Sequence, residues 1–460
     1  MSLLNALHIG ASGLRVASTG TNAVSHNVSN ATTPGFSKRT VRVQTANPVE
    51  RYGHGFGQGA KTSDIRRTAD DIVNKRAALS TGRQADASAR FTALSAIEDS
   101  FDATSGASLS NLLDNFYDDL NTLSQAPGDR TRRQELLVSA DRLTEGFNEA
   151  ADALLASTDA IDEELSQSMT EVQRKLDQVA DFNGRIASAT TGNGRADFQD
   201  QRDQLIYELA ESIGVTAQFS ADGQATLLVG GHAVVTGPTA RTVTFTQTAT
   251  GAPKVELSTN SGVVDITRQV GGRAGGLLTA SGNASTYLAD LNAWVDSFAT
   301  SLNTQHALGF DAAGAPGGDV FTFTAGAEAS TFAVDAALLG DPDLFAAAGA
   351  ATAATGDGDN LALIINLEGQ LLHTGATRTA ADALADIYAS VGRDVATASL
   401  EADRYGVELS DISALRESIS GVDLDQEAAD LMAWQASYEA AARVITTTND
   451  LLGVLMGMGT

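Results

Sequence analysis

The chain has 460 residues, no cysteine, 43% hydrophobic and 5% aromatic residues, and a net charge of −27. That hydrophobic content excludes a disordered chain, and the length allows about three domains with cores built from Leu, Val, Ile and Ala. No run of about 18 apolar residues occurs, so no transmembrane helix is expected.

The N-terminus lacks the apolar core of a secretory signal, so any export is expected to use a route that cleaves no signal peptide. The missing cysteine fits chance, a reducing compartment, or an exported chain that avoids stray disulfides. Charge is uneven. Residues 1–90 hold twelve Lys or Arg against five Asp or Glu, a balance of +7 that leaves −34 for the remainder. An acidic body argues against nucleic-acid binding. The basic run Lys38, Arg39, Arg42, Arg51, Lys61, Arg66 and Arg67 is either a solvated face or a surface for an acidic partner subunit.

In chain order, residues 3–28 carry Leu3, Leu7, Gly10, Leu14, Ala17, Thr21, Val24 and Val28 at the 3,4 spacing of a coiled-coil seam. The helix should stop near Asn30, where "SNATTPGF" supplies polar caps, Pro34 and Gly35. Residues 36–63 read as an extended arm with alternating Val41 and Val43. Helix signals return near Ile65 and include Leu94, Ile97, Leu109, Leu112, Leu113, Phe116, Leu120 and Leu123. After a break at Pro127-Gly128, residues 131–188 form one long pattern through Leu143, Phe147, Leu154, Ile161, Leu165, Val172, Leu176 and Val179. A rod of forty to fifty helical residues, ~60–75 Å long, needs partners along its length, so antiparallel long helices are expected.

A further helix should end at Gly214, after which 215–270 reads as an inserted β domain with a turn at Asp222-Gly223. Helix resumes over 275–307. "DVFTFT" and "STFAVD" suggest strands within a Gly-, Ala- and Asp-rich stretch at 308–360, and 360–400 reads as helical. The terminal helix begins after "SGVDLD" with Asp423 or Asp425 as cap. Its seam reads Leu424, Ala428, Leu431, Gln435, Tyr438, Ala442, Ile445, Asn449, Leu452 and Met456, with Gln435 and Asn449 setting register. The fold class is therefore α+β and mainly α. Terminal coiled-coil helices (1–35 and 421–460) join an elongated helical domain (36–214, 271–315 and 360–420). A β-rich outer domain (215–270 and 316–359) completes it.

The segments "VSHNVSNATTPGFSKRTV" and "GVDLDQEAADLMAWQASYEAAARVITTTNDLLGVLM" resemble the two end signatures of the bacterial flagellar axial proteins. The N-terminal match rests on Asn27, Asn30, Thr33, Pro34, Gly35 and Phe36. The C-terminal match rests on Asp423, Leu424, Glu427, Gln435, Tyr438, Ala442, Arg443 and Ile445. "FQDQRDQLIYELAESIGV", "GGRAGGLLTA" and "NTQHALGFDAAGAPGGDVF" are similar to the hook-associated branch of that family. The resemblance implies a structural subunit joining hook to filament. It implies a homo-oligomer in a ring or tube, flanked by hook protein and the next hook-associated protein. It also implies export through the flagellar type III route with a chaperone, and an extracellular location. The expected assembly residues are Leu3, Leu7, Leu14, Val24, Asn27, Asn30, Pro34, Gly35, Phe36, Leu424, Leu431, Gln435, Tyr438, Ile445 and Leu452.

Read alone, Asn27 and Asn30 are helix terminators, with bonding across subunits as the alternative. Trp434 and Tyr438 read as seam residues. Because the first helix is rich in weak helix formers, both ends are expected to order only when neighbours bury them. No catalytic constellation or cofactor site emerges. The six histidines lack metal-ligand spacing, "GHGFGQG" lacks the ending of a phosphate loop, and "GDGDN" and "DLDQE" lack a full calcium series. Two rivals stand beside the junction reading: another axial protein of hook or distal rod, and a secreted hydrolase or adhesin using the β insertion.

Overall fold

The computed structural model describes residues 3–51, 54–103, 108–189, 192–249, 251–353, 356–373 and 375–458. Helix α1 (Leu3–Ser29) ends where Asn30 turns the chain and Gly35 takes a positive φ of 79°. The arm follows as β1 (Arg39–Thr45), β2 (Val49–Arg51), β3 (His54–Phe56) and β4 (Ala60–Arg67). β1 pairs antiparallel with β4, and β2 with β3. Ile65, expected to open a helix, lies in β4 opposite Val41. Helix α2 (Asp71–Ala103) starts six residues later, capped by Asp70, whose Oδ1 accepts the N–H of Ile72 at 2.8 Å.

Helices α3 (Leu109–Ser124), α4 (Arg130–Ser188) and α5 (Gly192–Ile213) follow. The 59 residues of α4 span about 90 Å. Its core-facing residues, Leu143, Phe147, Leu154, Leu165, Leu176 and Val179 among them, are fully buried. Two antiparallel meanders cover its second half. One is β5 (Thr216–Phe219), β6 (Ala225–Val229), β7 (His232–Thr236) and β8 (Thr239–Ala240). The other is β9 (Val243–Gln247), β10 (Pro253–Thr259) and β11 (Gly262–Asp265). Asn183 of α4 stitches the first in place, donating to the carbonyls of Ala225 and Gly237 at 2.8 Å and accepting from Ala225 N–H at 2.9 Å.

Helix α6 (Gly272–His306) lies antiparallel to α4, with Trp294 stacked between Phe147 and Phe298 at 4.5 and 4.7 Å. The glycines of "GGRAGGLLTA" let backbones meet, since a Cβ on Gly276 would collide with the carbonyl of Asp86 in α2. Residues 308–360 hold little strand. "DVFTFT" and "STFAVD" yield only β12 (Phe321–Thr322) and β13 (Ala333–Val334), beside short helix α7 (Ala336–Gly340). This coil packs on α4 and α6 through side chains that bond to backbone. Asn303 donates to Phe321 O and accepts from Val320 N–H, both at 2.8 Å. Arg133 reaches the carbonyls of Pro127 and Phe345 at 2.8 and 2.7 Å.

The helix expected over 360–400 is two pieces: α8 (Asp359–Ile365), then α9 (Ala380–Ser420), which starts at an N-cap on Thr379. The glycines at 369 and 375 interrupt the pattern, and α9 runs twenty residues beyond its expected end. It pairs antiparallel with α2, as the contacts Ser80–Glu408, Arg90–Glu401 and Val73–Ile412 show. The last helix, α10 (Leu424–Gly457), is capped by Asp423, whose Oδ1 accepts from Asp425 and Gln426. The chain is thus mainly helical, with small antiparallel sheets inserted.

Candidate assembly site

Helices α1 and α10 lie antiparallel. Gly10 faces Ile445, Gly20 faces Trp434, and Asn27 faces Glu427. A Cβ on Gly20 would collide with the indole of Trp434, so the glycine brings the two backbones close. The buried stripe of α1 contains Gly10, Ala17 and Val24, as expected, together with Gly20 and Asn27. On α10 the inward positions are Glu427, Trp434, Ala441 and Thr448, flanked by half-buried Leu431, Ile445 and Leu452.

On α1 one expected stripe is buried; on α10 only Leu431, Ile445 and Leu452 of the corresponding stripe are half-buried, and the other stripe of each seam lies one residue earlier than expected. Leu7, Leu14 and Thr21 are half-buried, and Val28 is 46% exposed. Gln435, Asn449 and Met456 are exposed, so neither Gln435 nor Asn449 sets the register of this pair. Leu3 is half-buried; Leu424 and Tyr438 are 56% and 48% exposed. Close helix approach selects small residues, and a reading weighted by apolar bulk settles one position away. Apolar side chains on several faces of α10, among them Leu424, Met432, Tyr438, Val444, Leu451 and Leu455, stay exposed.

Polar register comes instead from Asn27 and Glu427. Asn27 donates to Glu427 Oε2 at 2.9 Å and to Arg39 O at 3.0 Å, and accepts from Arg39 N–H at 2.7 Å. Lys38 pairs with Glu427 at 2.9 Å. Asn27 thus ties both helices to the first strand of the arm. Asn30 acts locally, donating to His26 O at 2.9 Å.

The arm plugs into the body through the "DQRDQL" segment of α5. Asp200 accepts from Arg39 at 2.6 Å and from Arg67 at 3.3 Å, and Asp203 accepts from Arg67 at 2.5 Å. Burial pushes the Asp200 carboxyl up, against the pull of Arg39 and Arg67. Burial opposes the charge on Arg67, yet Asp203 and Asp200 more than offset it and raise its pKa. Arg202 lies over Phe219 at 4.9 Å and donates to Gly223 O, which fixes the β5–β6 turn to the same socket. These ion pairs are invisible to a periodicity reading because their members lie more than a hundred residues apart in the chain.

The turn at 31–36 stands between two open clefts of about 760 and 500 Å³. Pro34 is exposed, Gly35 sits against Gln204, and the Phe36 ring lies 5.4 Å from His26 and 5.1 Å from the Arg39 guanidinium. Among the described residues no group of His, Asp or Glu is arranged to hold a metal ion, and no helix is long and apolar enough to cross a membrane.

Two family models match the chain: the flagellar hook-associated protein FlgK helical domain over residues 94–321, and the flagellar basal body rod FlgEFG protein C-terminal region over 416–458. Flagellar hook-associated protein 1 of Escherichia coli strain K12 is 23% identical, with 97% of this chain and 98% of that protein aligned. The protein of the same name from Bacillus subtilis strain 168 is 24% identical over 94% of each. The solved flagellar hook junction protein FlgK from Burkholderia pseudomallei shares the fold, with a TM-score of 0.68 at 14% identity over 75% of this chain and all of that one. Paired terminal helices on a long-helix body, with these matches, define a structural axial protein of the bacterial flagellum rather than an enzyme. The chain belongs to the flagellar hook-associated protein 1 family.

Proposed function

We propose that the chain forms the junction between hook and filament, with its terminal helices as the assembly element. The observation that carries this reading is the apolar surface of α10 that α1 leaves uncovered. One stripe is spent between α1 and α10, and Leu424, Met432, Tyr438 and Leu451, spread over several faces of α10, stay exposed for neighbours. Burying such leucines and methionines contributes roughly 1.5–3 kcal/mol each. On this reading the residues expected at the interface divide into two groups. Val24, Asn27, Leu431, Ile445 and Leu452 hold the pair together, while Leu424, Gln435 and Tyr438 face other subunits.

The proposal includes a ring or tube of copies between hook protein and the next hook-associated protein. It includes export without signal cleavage and an export chaperone. It also assigns 1–35 and 421–460 to assembly. The 316–359 coil, which packs on α4 and α6, goes with the helical body.

Electron microscopy of cells lacking this chain tests the reading. Hooks without filaments, and filament protein shed into the medium, are expected; normal filaments would overturn it. A chain trimmed of residues 3–29 should keep a folded body yet fail to incorporate.

A further inference from the structure

Helices α2 and α9 lie antiparallel, and each leaves one face bare. On α2 that face carries Ile72, Arg76, Leu79 and Arg83 at helical spacing, all exposed. On α9 it carries Leu400, Asp403, Val407, Asp411 and Leu415, again at helical spacing and all exposed. The apolar members of both faces are 41–72% exposed, which marks two ribs for contact rather than scattered leucines.

The two faces differ in sign. Residues 71–85 hold three Lys or Arg and one Asp, while residues 400–418 hold five Asp or Glu and two Arg. Those two arginines lie over tyrosine rings, Arg404 on Tyr405 at 4.5 Å and Arg416 on Tyr207 at 4.7 Å, so the acids set the sign of the outer face. Arg83 and Glu408 share a loose, exposed pair at 3.7 Å. Lys75, Arg76, Asp403 and Asp411 make no ion pair among the described residues.

Height matches as well. Within one chain Val73 packs on Ile412, Ser80 donates to Glu408 at 3.0 Å, and Arg90 pairs with Glu401. Counting along both helices from these contacts sets Ile72 level with Leu415, Arg76 with Asp411, Leu79 with Val407 and Arg83 with Asp403, each within about one turn. Val73, Ser80, Glu408 and Ile412 fill the seam between the helices, so the level residues face outward from it and stay exposed. Two copies standing side by side at one height bring them together, apolar against apolar and cation against carboxylate.

We propose that the bare α2 face of each copy docks on the bare α9 face of the copy beside it. The two patches differ, so the contact is heterologous. Repeated around an axis at constant height, it closes into one ring and adds no second tier. Charge fixes which helix meets which, since α2 against α2 or α9 against α9 sets like charges together. The inference rests on the reading that copies of this chain sit side by side in a ring at the junction.

Two measurements test it. The chain has no cysteine, so Leu79→Cys with Val407→Cys supplies the only two thiols. Oxidation of assembled flagella should give a ladder of disulfide-linked copies, and neither single variant should give one. No ladder, or dimers from either single variant, overturns the proposal. Arg76→Glu with Arg83→Glu should lower incorporation about tenfold, and adding Asp403→Arg with Asp411→Arg to the same chain should restore it. Full incorporation of the reversed α2 face, or no recovery in the four-fold swap, overturns the contact. If cells lacking the chain shed filament protein while the double-cysteine chain assembles without a ladder, the junction reading stands and this contact falls.

Discussion

Asn27 and Glu427 are 400 residues apart in sequence, and their side chains hydrogen-bond at 2.9 Å with almost no exposure to solvent. The same Glu427 carries the charge that answers Lys38. Glu427→Ala leaves one N–H of the buried Asn27 amide and the Lys38 ammonium without their partner. The expected loss is about 3–5 kcal/mol in the stability of the root. Hydrogen exchange along residues 3–29 reads it directly, with Glu427→Gln losing less because it keeps the acceptor. Unchanged protection in Glu427→Ala would remove the clasp from the account.

Gly20 lies under the Trp434 ring with no room for a methyl group. Gly20→Ala should cost about 1–3 kcal/mol by overpacking. The near-ultraviolet signal of Trp434 should weaken, and Trp434→Leu in the same chain should recover part of the loss. Additive losses in the double variant would show that the two residues do not touch.

The His306 ring is held neutral. Its Nδ1–H donates to Gly318 O at 2.7 Å, and its Nε2 accepts from Ala346 N–H at 2.8 Å. Burial lowers its pKa below the ordinary 6.5, and burial does the same for His373, which stacks on Trp294 at 5.4 Å. Below pH 6.5 the unfolded chain takes up protons that the folded chain refuses. Stability is therefore full above 6.5 and falls as pH drops from there toward the folded values. Urea midpoints at pH 7.5 and 5 should differ. His373→Phe keeps an aromatic ring on Trp294 and should flatten the difference; an equal slope in that variant counts against His373 as a source.

Arg133 is buried and bonds to the carbonyls of Pro127, Pro342, Asp343 and Phe345. Burial lowers its pKa, with Asp343 and Asp311 pulling the other way. Arg133→Ala strands several carbonyls at once and should cost about 3–5 kcal/mol. Arg133→Lys should recover only part, because an ammonium lacks the planar fork. Protease cutting within 308–360 gives the readout, and a resistant Arg133→Ala chain would contradict it.

The long helices were legible in sequence because burial on one face repeats faithfully from Leu143 to Val179. The meanders were legible from alternation and from turns such as Asp222-Gly223. Ile65 misled because eight residues of β4 are held by distant partners, Val41 across the ribbon and Asp200 and Asp203 on α5. The second seam stripe misled because Gly20 and Thr448 are buried for what they lack in bulk. "DQRDQL" could be quoted as a motif, yet its use as the socket for Arg39 and Arg67 needs three dimensions. "NTQHALGF" is likewise a set of staples: Asn303 fastens Phe321, Gln305 bonds Asn360 at 2.8 Å, and His306 bridges Gly318 to Ala346.

The antiparallel run of α1 against α10, with Gly10 beside Ile445 and Asn27 beside Glu427, brings the start of α1 and the end of α10 to one tip. A purification handle or fluorescent fusion placed at either end therefore crowds the same spot. Labels for imaging this subunit belong on the β5–β11 meanders, where the Gly251 turn and exposed Val263 face water.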